Sequence, residues 1–418
     1  MVRFHKEMNY NKRESQNNIM QLVEQHILKK TEGLDSLCFK SKNLYNSCLY
    51  IVRQYFFEHQ KYITFKQLSN TVKSQECYQE LPIKVSQLVV KQVDTEFCSF
   101  FKALKSYQKN PSKFLGRPKI PHYKDKQDGR NLVKYNNQAF SKRSLKKGFM
   151  HPSGTNLNIP TQKENINEVR IIPHSTYLAV EIVYTQQEEN LQLNKDNVIA
   201  IDLGVNNLTS ITSNKQGFQP LLVNGRTLKA INQFYNKTRS IKQSKLPENQ
   251  KTSYLMEILT IKRNRKIKHY MHHVSKLIVQ LCKNNDIGTI VIGKNDNWKQ
   301  ESDMSKKNNQ NFVSIPFNML IEQIKYKAEL VGIEVKFTEE SYTSKCSFLD
   351  LEDMCKHEKY KGYRKERGLF KSTFSKKLIN ADTNGSYNIL RKVFPKFFTE
   401  YGIEDFVVSP SLCTPCRA

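Results

Sequence analysis

From about Asn18 to Tyr107 apolar residues recur at spacings of three and four, in Leu44, Tyr45, Cys48, Leu49, Val52 and again in Leu88, Val89, Val93, Phe97, Phe101. That is the period of one face of a helix, so this stretch predicts a helical bundle. Pro111, Gly116, Pro118 and Pro121 break the pattern, and GRPKIPHYKDK reads as a basic loop feeding a strand. Short β segments are predicted at Leu132 to Phe140, Leu157 to Ile159, Val169 to Ile172 and Tyr177 to Thr185, the last alternating as Leu178, Val180, Ile182, Tyr184. The helices then read as an insertion in, or a neighbour of, a small β-barrel.

After Asn197 the runs VIAIDLGV, NLTSITSN and GFQPLLVNG predict three consecutive strands joined by tight turns, which is how a ribonuclease-H-like sheet begins. A long helical region from about Leu228 to Cys282 follows, with Lys262, Arg263, Arg265, Lys266, Lys268 and His269 opposite an apolar stripe of Ile267, Met271, Val274, Ile278 and Leu281. A strand at Gly288 to Ile292, a helix after Ser314-Ile315-Pro316, a strand at Gly332 to Thr338 and a helix from about Ala381 to Val393 complete an alternating α/β pattern. Nothing repeats internally.

Charge adds a partner to this picture. The chain of 418 residues carries 67 Lys+Arg against 39 Asp+Glu, a net +28, and the excess is spread along the whole length. Spread-out positive charge of that size suits an extended polyanion surface, and 20 Tyr and 23 Phe supply stacking faces for RNA or single strands beyond those needed for the core. Nine cysteines without regular spacing or a signal peptide argue for a reducing compartment and against a disulfide framework. No apolar run approaches the roughly 18 to 20 residues of a membrane span. The expectation is a protein of the cytoplasm, nucleoid-associated in a prokaryote, neither secreted nor membrane-bound.

Asp202 stands inside the otherwise apolar run VIAIDLGV. Burying a carboxylate is costly unless backbone amides satisfy it, as in many DLG turns, or unless it belongs to a metal-binding cluster. The second reading requires further acids from neighbouring elements. Asp382 in INADTNGSYNIL is a candidate, because it opens a helix whose Ala381, Gly385 and Ser386 are small enough for close approach to a sheet.

IAIDLGVNNLTSI, SYTSKCS and NADTNGSYNIL resemble the first RuvC motif, the TS motif and the third RuvC motif of the TnpB/OrfB proteins, transposon-encoded relatives of type V CRISPR effectors. The likeness extends to LYNSCLYIVRQ, GRPKIPHYK and NNQNFVSIPF, and so spans nearly the whole chain. It implies an RNA-guided DNA endonuclease with an oligonucleotide-binding-like β-barrel (wedge) over residues 1–196, interrupted by a helical recognition insertion at about 18–110. A ribonuclease-H-like RuvC nuclease domain over 197–395, with a degenerate zinc-finger-position insertion at about 343–379, and a tail at 396–418 complete the implied layout. The implied partners are a guide RNA from the protein's own locus, a target double-stranded DNA bearing a short adjacent motif, and the displaced single strand. The implied chemistry is phosphodiester hydrolysis by two Mg2+ ions held by three carboxylates. A monomer is the expected state.

Asp202 and Asp382 match the first and third carboxylate positions, but the second departs from the family. Most relatives place a Glu at the end of the strand that here reads TIVIGKNDNWK, and the aligned residue is Gly293. Either the nuclease is dead or the acid comes from elsewhere. Some TnpB proteins and the eukaryotic Fanzor relatives carry the Glu shortly before the TS motif, and EVKFTEESYTS offers Glu339 and Glu340 there. The expected metal ligands and catalytic residues are therefore Asp202, Glu340 and Asp382, with Glu339 as substitute for Glu340.

Zinc is a second departure. Two CxxC pairs are common after the TS motif in relatives, but here the first reads Cys346-Ser-Phe-Leu349 and the second is absent, so no structural zinc is expected. Cys355 with His357, and Cys413 with Cys416, leave a composite site open. His269, His272 and His273 read as surface or RNA-facing imidazoles, and Trp298 as packing on the nuclease lobe or a nucleotide. Rival functions are a guided DNA-binding repressor that does not cut, for which Gly293 is the evidence, a DNA transposase proper, and a simple RNA chaperone.

Overall fold

The computed structural model describes residues 19–295, 306–395, 397–398, 402–403, 406 and 408–415. The chain divides into two compact units, one ending at Gln187 and one beginning at Glu188.

In the first unit β1 (Ile19–Lys29) leads into helices α1 (Glu32–His59), α2 (Phe65–Val72), α3 (Glu76–Gln79) and α4 (Ile83–Lys109). The chain continues as β2 (Val133–Asn136), α5 (Lys142–Lys146), β3 (Phe149–Met150), β4 (Ile159–Pro160), β5 (Ile166–Pro173) and β6 (Tyr177–Gln187). Four strands form an antiparallel sheet in the order β1-β6-β5-β2, and β3 pairs with β4 as a separate ribbon. Over the stretch for which a barrel was expected, the described residues form this four-stranded sheet and the ribbon. One apolar core joins Leu44, Leu49 and Val52 of α1 and Val89, Val93 and Phe97 of α4 to Val169, Ile171, Val180 and Ile182 of the sheet.

The segment Ile19–Lys29 corrects the helical reading. Its apolar residues at 19, 23 and 27 fit a helical spacing, yet all eleven residues pair with β6, from Ile19 opposite Gln187 to Lys29 opposite Tyr177. Exposure alternates over most of its length, and Ile19 and Val23 face outward. A long strand partner outweighs local periodicity, so the helical insertion begins after β1 rather than near residue 18. The domain boundary moves as well. Glu189 N–H donates to Leu330 O at 2.7 Å and Gly288 N–H to Asn194 O at 2.7 Å, which draws residues 188–196 into the second unit.

The second unit opens with β7 (Val198–Leu203), β8 (Asn207–Ser213) and β9 (Leu221–Asn224), followed by α6 (Arg226–Gln243), α7 (Tyr254–Asn284) and β10 (Thr289–Gly293). Then come α8 (Lys306–Ser314), α9 (Phe317–Glu329), β11 (Glu334–Thr338), β12 (Gly362–Glu366), β13 (Leu369–Ser372), β14 (Leu378–Asn380), α10 (Ala381–Val393) and β15 (Ser411–Cys413). The main sheet has the order β11-β10-β7-β8-β9-β15. β7, β10 and β11 run parallel, whereas β8 is antiparallel to both its neighbours. The helical region expected from about Leu228 to Cys282 is made of two helices, with Pro247 between them.

Alternation along β7 sorts its side chains between two cores. Ile199 and Ile201 pack with Tyr270 and Val274 of α7 and Leu320 and Ile324 of α9. Val198 and Ala200 pack with Tyr387, Ile389 and Leu390 of α10. Asp202 has the parity of the second set, so it faces α10.

Candidate active site

Asp202 lies next to the C-terminal end of β7, opposite Ser210 of β8. The helix α10 can approach it because position 385 is glycine: a Cβ there would lie 2.6 Å from Asp202 Oδ2. Ser386 fastens the same turn, its hydroxyl 2.9 Å from Ala200 O and 3.0 Å from Ser210 O. Asp382 sits in the first turn of α10, where Asn380 caps the helix by accepting from the Asp382 and Thr383 amides. Asn207 Nδ2 donates to Asp382 Oδ2 at 2.7 Å.

Glu340 comes from two residues beyond β11, whose last residue, Thr338, pairs with Gly293 of β10. A Cβ added at Gly293 would lie 2.6 Å from Glu340 Oε1 and 2.8 Å from its Cγ. The Glu340 side chain thus fills the space that a residue 293 side chain would enter. Glu339 turns away: its side chain is 66% exposed, with Lys392 Nζ 3.7 Å from Oε2.

Three acids are therefore neighbours. Asp202 keeps some exposed surface but sits deep, and its carboxyl is held well above the usual range, first by burial and then by the charges of Glu340 and Asp382. Arg364 of β12 acts in the opposite direction on Asp202. Burial also raises Glu340, and Lys392 partly offsets this. Among the described residues no three acids, histidines or cysteines are already drawn in around a single ion position. Glu340 Oε1 is nevertheless buried with no hydrogen-bond partner, a cost a bound cation would remove. Hard carboxylate oxygens of this kind suit Mg2+.

The motifs interlock. Asn384 and Asn388 of α10 donate to Cys346 O at 2.9 and 2.8 Å, and Asn388 also to Thr343 O at 2.9 Å. The third motif therefore grips the TS segment, which in turn holds Glu340. Arg364, Asn207, Asn295 and Lys392 were not singled out from the sequence. They are surface-type residues with no pattern of their own, and only the fold brings them to the acids.

Other sequence readings shift. Arg263 is not a free basic residue of α7, because its Nε donates to Asn232 Oδ1 at 2.8 Å and its Nη2 to Ser314 O at 2.9 Å. His272 is half-buried rather than a surface imidazole, and burial, with Lys327 beside it, pushes it down to about 4. In the 343–379 insertion Cys346 Sγ donates to Asp353 O at 3.3 Å, and Cys355 Sγ lies 3.4 Å from His357 Nε2. The buried Glu352 carboxylate accepts from the Ser347 and Lys361 amides, each at 2.8 Å. Trp298 and Cys416 lie outside the described residues.

Two family descriptions match this unit and the end of the first. Residues 181–299 match OrfB_IS605, a probable transposase, and residues 317–389 match the TNB domain of Cas12f1-like proteins. A TnpB-like protein of Methanocaldococcus jannaschii is 26% identical over 160 residues, which cover 36% of this chain and 56% of that protein. The chain thus spans little more than half the length of this curated relative. The cryo-EM structure of a Cas12f1–sgRNA–target DNA complex superimposes with a TM-score of 0.53 at 15% identity, covering 85% of this chain and 81% of that one. That likeness is one of fold, a RuvC-containing architecture of the kind found in Cas12 proteins. With both family segments in order along one chain and this fold around them, the protein is TnpB-like, similar over residues 181–299 to OrfB_IS605 transposases and over 317–389 to Cas12f1-like proteins.

Proposed function

We propose that the chain is an RNA-guided DNA endonuclease of the TnpB type, in which Asp202, Glu340 and Asp382 hold two Mg2+ ions. The observation that carries this reading is the Glu340 carboxylate, buried in the space left by Gly293 with Oε1 unpaired. Bound Mg2+ supplies charge neutralisation at the scissile phosphate and an activated water.

The protein's own groups prepare that chemistry. Asp202 is a fixed acid on a rigid strand, and Asp382 is oriented by Asn207. Glu340 is held at both ends of its backbone, by Asn295 at its amide and Thr343 at its carbonyl. The charge of Arg364 is felt at Asp202, and Arg364 is proposed to attract a phosphate entering the site. Guide RNA, target duplex and displaced strand are the partners proposed for the net charge of +28, with base pairing to the guide choosing the sequence. The protein is proposed to act as a monomer in the cytoplasm, in association with a transposable element. Among the described residues no helix is long and apolar enough to cross a membrane. The repressor reading drew on Gly293 alone, and with an acid in its place Gly293 no longer favours it.

Plasmid cleavage by the full chain bound to RNA from its own locus tests this. Asp202→Ala, Glu340→Ala and Asp382→Ala are each expected to slow cutting at least about a hundredfold while matched DNA is still bound, and Glu339→Ala to leave it near native. Cutting that survives excess chelator, or that depends on Glu339 and not on Glu340, overturns the assignment. Tight guided binding by a native chain that never cuts returns the reading to a repressor.

A further inference from the structure

Successive side chains of an extended chain leave on opposite sides, so only one of Glu339 and Glu340 reaches the site for a given backbone orientation. That orientation is fixed by a set of contacts. The Glu340 amide donates to Asn295 Oδ1 at 2.7 Å. Its carbonyl accepts from the Thr343 amide at 3.2 Å and from Thr343 Oγ1 at 2.8 Å. Lys392 Nζ donates to the Glu339 carbonyl at 3.0 Å and lies 3.7 Å from Glu339 Oε2.

Asn295 and Thr343 act on residue 340. Ser341 Oγ donates to the Glu339 carboxylate from within the same turn, and Lys392 takes hold of residue 339 from another element, at both its backbone and its acid. The lysine side chain is only 16% exposed although it bears a charge, so it is committed to this contact. It stands near the C-terminal end of α10, the helix that carries Asp382 in its first turn. One rigid element thereby sets the position of both acids.

We propose that Lys392 is a positioning residue that keeps Glu339 on the solvent side and so delivers Glu340 to Asp202 and Asp382. The proposal rests on the reading of those three acids as the metal-holding set. Position and charge predict opposite results when Lys392 is removed. A nearby cation acting only through its charge repels a divalent ion, so its loss would tighten metal binding. Loss of a positioning contact loosens it.

The test is titration of the full chain with Mn2+, following free ion by electron paramagnetic resonance, with each variant's melting curve recorded. Lys392→Met is expected to weaken Mn2+ binding about tenfold, the scale for losing a group that orients a metal ligand, with Lys392→Arg within about threefold of native. Lys392→Gln replaces the methionine variant if that one does not melt cooperatively. Native or tighter binding by Lys392→Met, with Glu340→Ala still weakening it, overturns the positioning role alone. If Glu340→Ala leaves Mn2+ binding unchanged, the metal-holding reading fails and the proposal falls with it.

Discussion

A methyl group at position 293 would meet Glu340 Oε1 and Ile389 Cδ1, each at 2.6 Å. Gly293→Ala is therefore expected to lower stability by about 1–3 kcal/mol through overpacking and to slow cleavage by displacing Glu340, which thermal melting and plasmid cutting would check. The acids also give the metal-free protein a signature. Glu340 is pushed from 4.5 up to about 7 by burial, and Asp202 is raised by burial and by Glu340 and Asp382. A carboxyl with a raised native value binds its proton more tightly when folded, so its stabilising contribution is complete below its unfolded value and is lost as pH rises through about 7. The melting temperature of metal-free protein is expected to fall between about pH 5 and pH 8, and saturating Mg2+ or Asp202→Asn to flatten that fall. The motif residues Asp202 and Asp382 stood out in the sequence because an acid in an apolar run or at a helix start is a local anomaly. Asn207, which donates to Asp382, and Lys392, which donates to the Glu339 carbonyl, are ordinary residues in sequence and become informative only through contacts across 175 and 53 positions of chain.

The 343–379 insertion shows how a short segment is held without four cysteines. Glu352 gathers two backbone amides in a buried position, and Asp350 accepts from Ser347 Oγ and from Ser372 Oγ, at 2.7 Å in the latter case. Glu352→Ala would leave the buried Ser347 amide unpaired, at a cost of about 1–3 kcal/mol. Hydrogen exchange at the Ser347 and Lys361 amides is expected to speed by at least about tenfold in this variant, and native rates there would show that Glu352 is not what organises the loop. β6 was legible through its alternation, and α10 through the small residues around Asp382 at its start. β1 was not, because IMQLVEQHILK satisfies a helical spacing and its partner begins only at Tyr177, far along the chain from Lys29. The split between α6 and α7 turned on Pro247, which the long basic pattern on either side obscured.

For the chain as a whole, a net charge of +28 would make the proposed affinity for nucleic acid a matter of counterion release. Raising salt from about 50 to about 200 mM is expected to weaken binding of unrelated RNA by at least about a thousandfold, measured by filter retention, if six or more phosphates are contacted. A flat response would mean that the basic surface is not the binding surface. The pair Gly293 and Glu340 bears on how related chains are read. The ends of β10 and β11 border a single small volume, and under the proposed function what the site requires is one carboxylate inside it, whichever strand supplies the backbone. A glycine at the first address is then a permit for an acid at the second, and the two positions behave as one character. A related chain with no acid at the β10 position is not inactive on that ground alone, because an acid just before the TS segment can occupy the same volume.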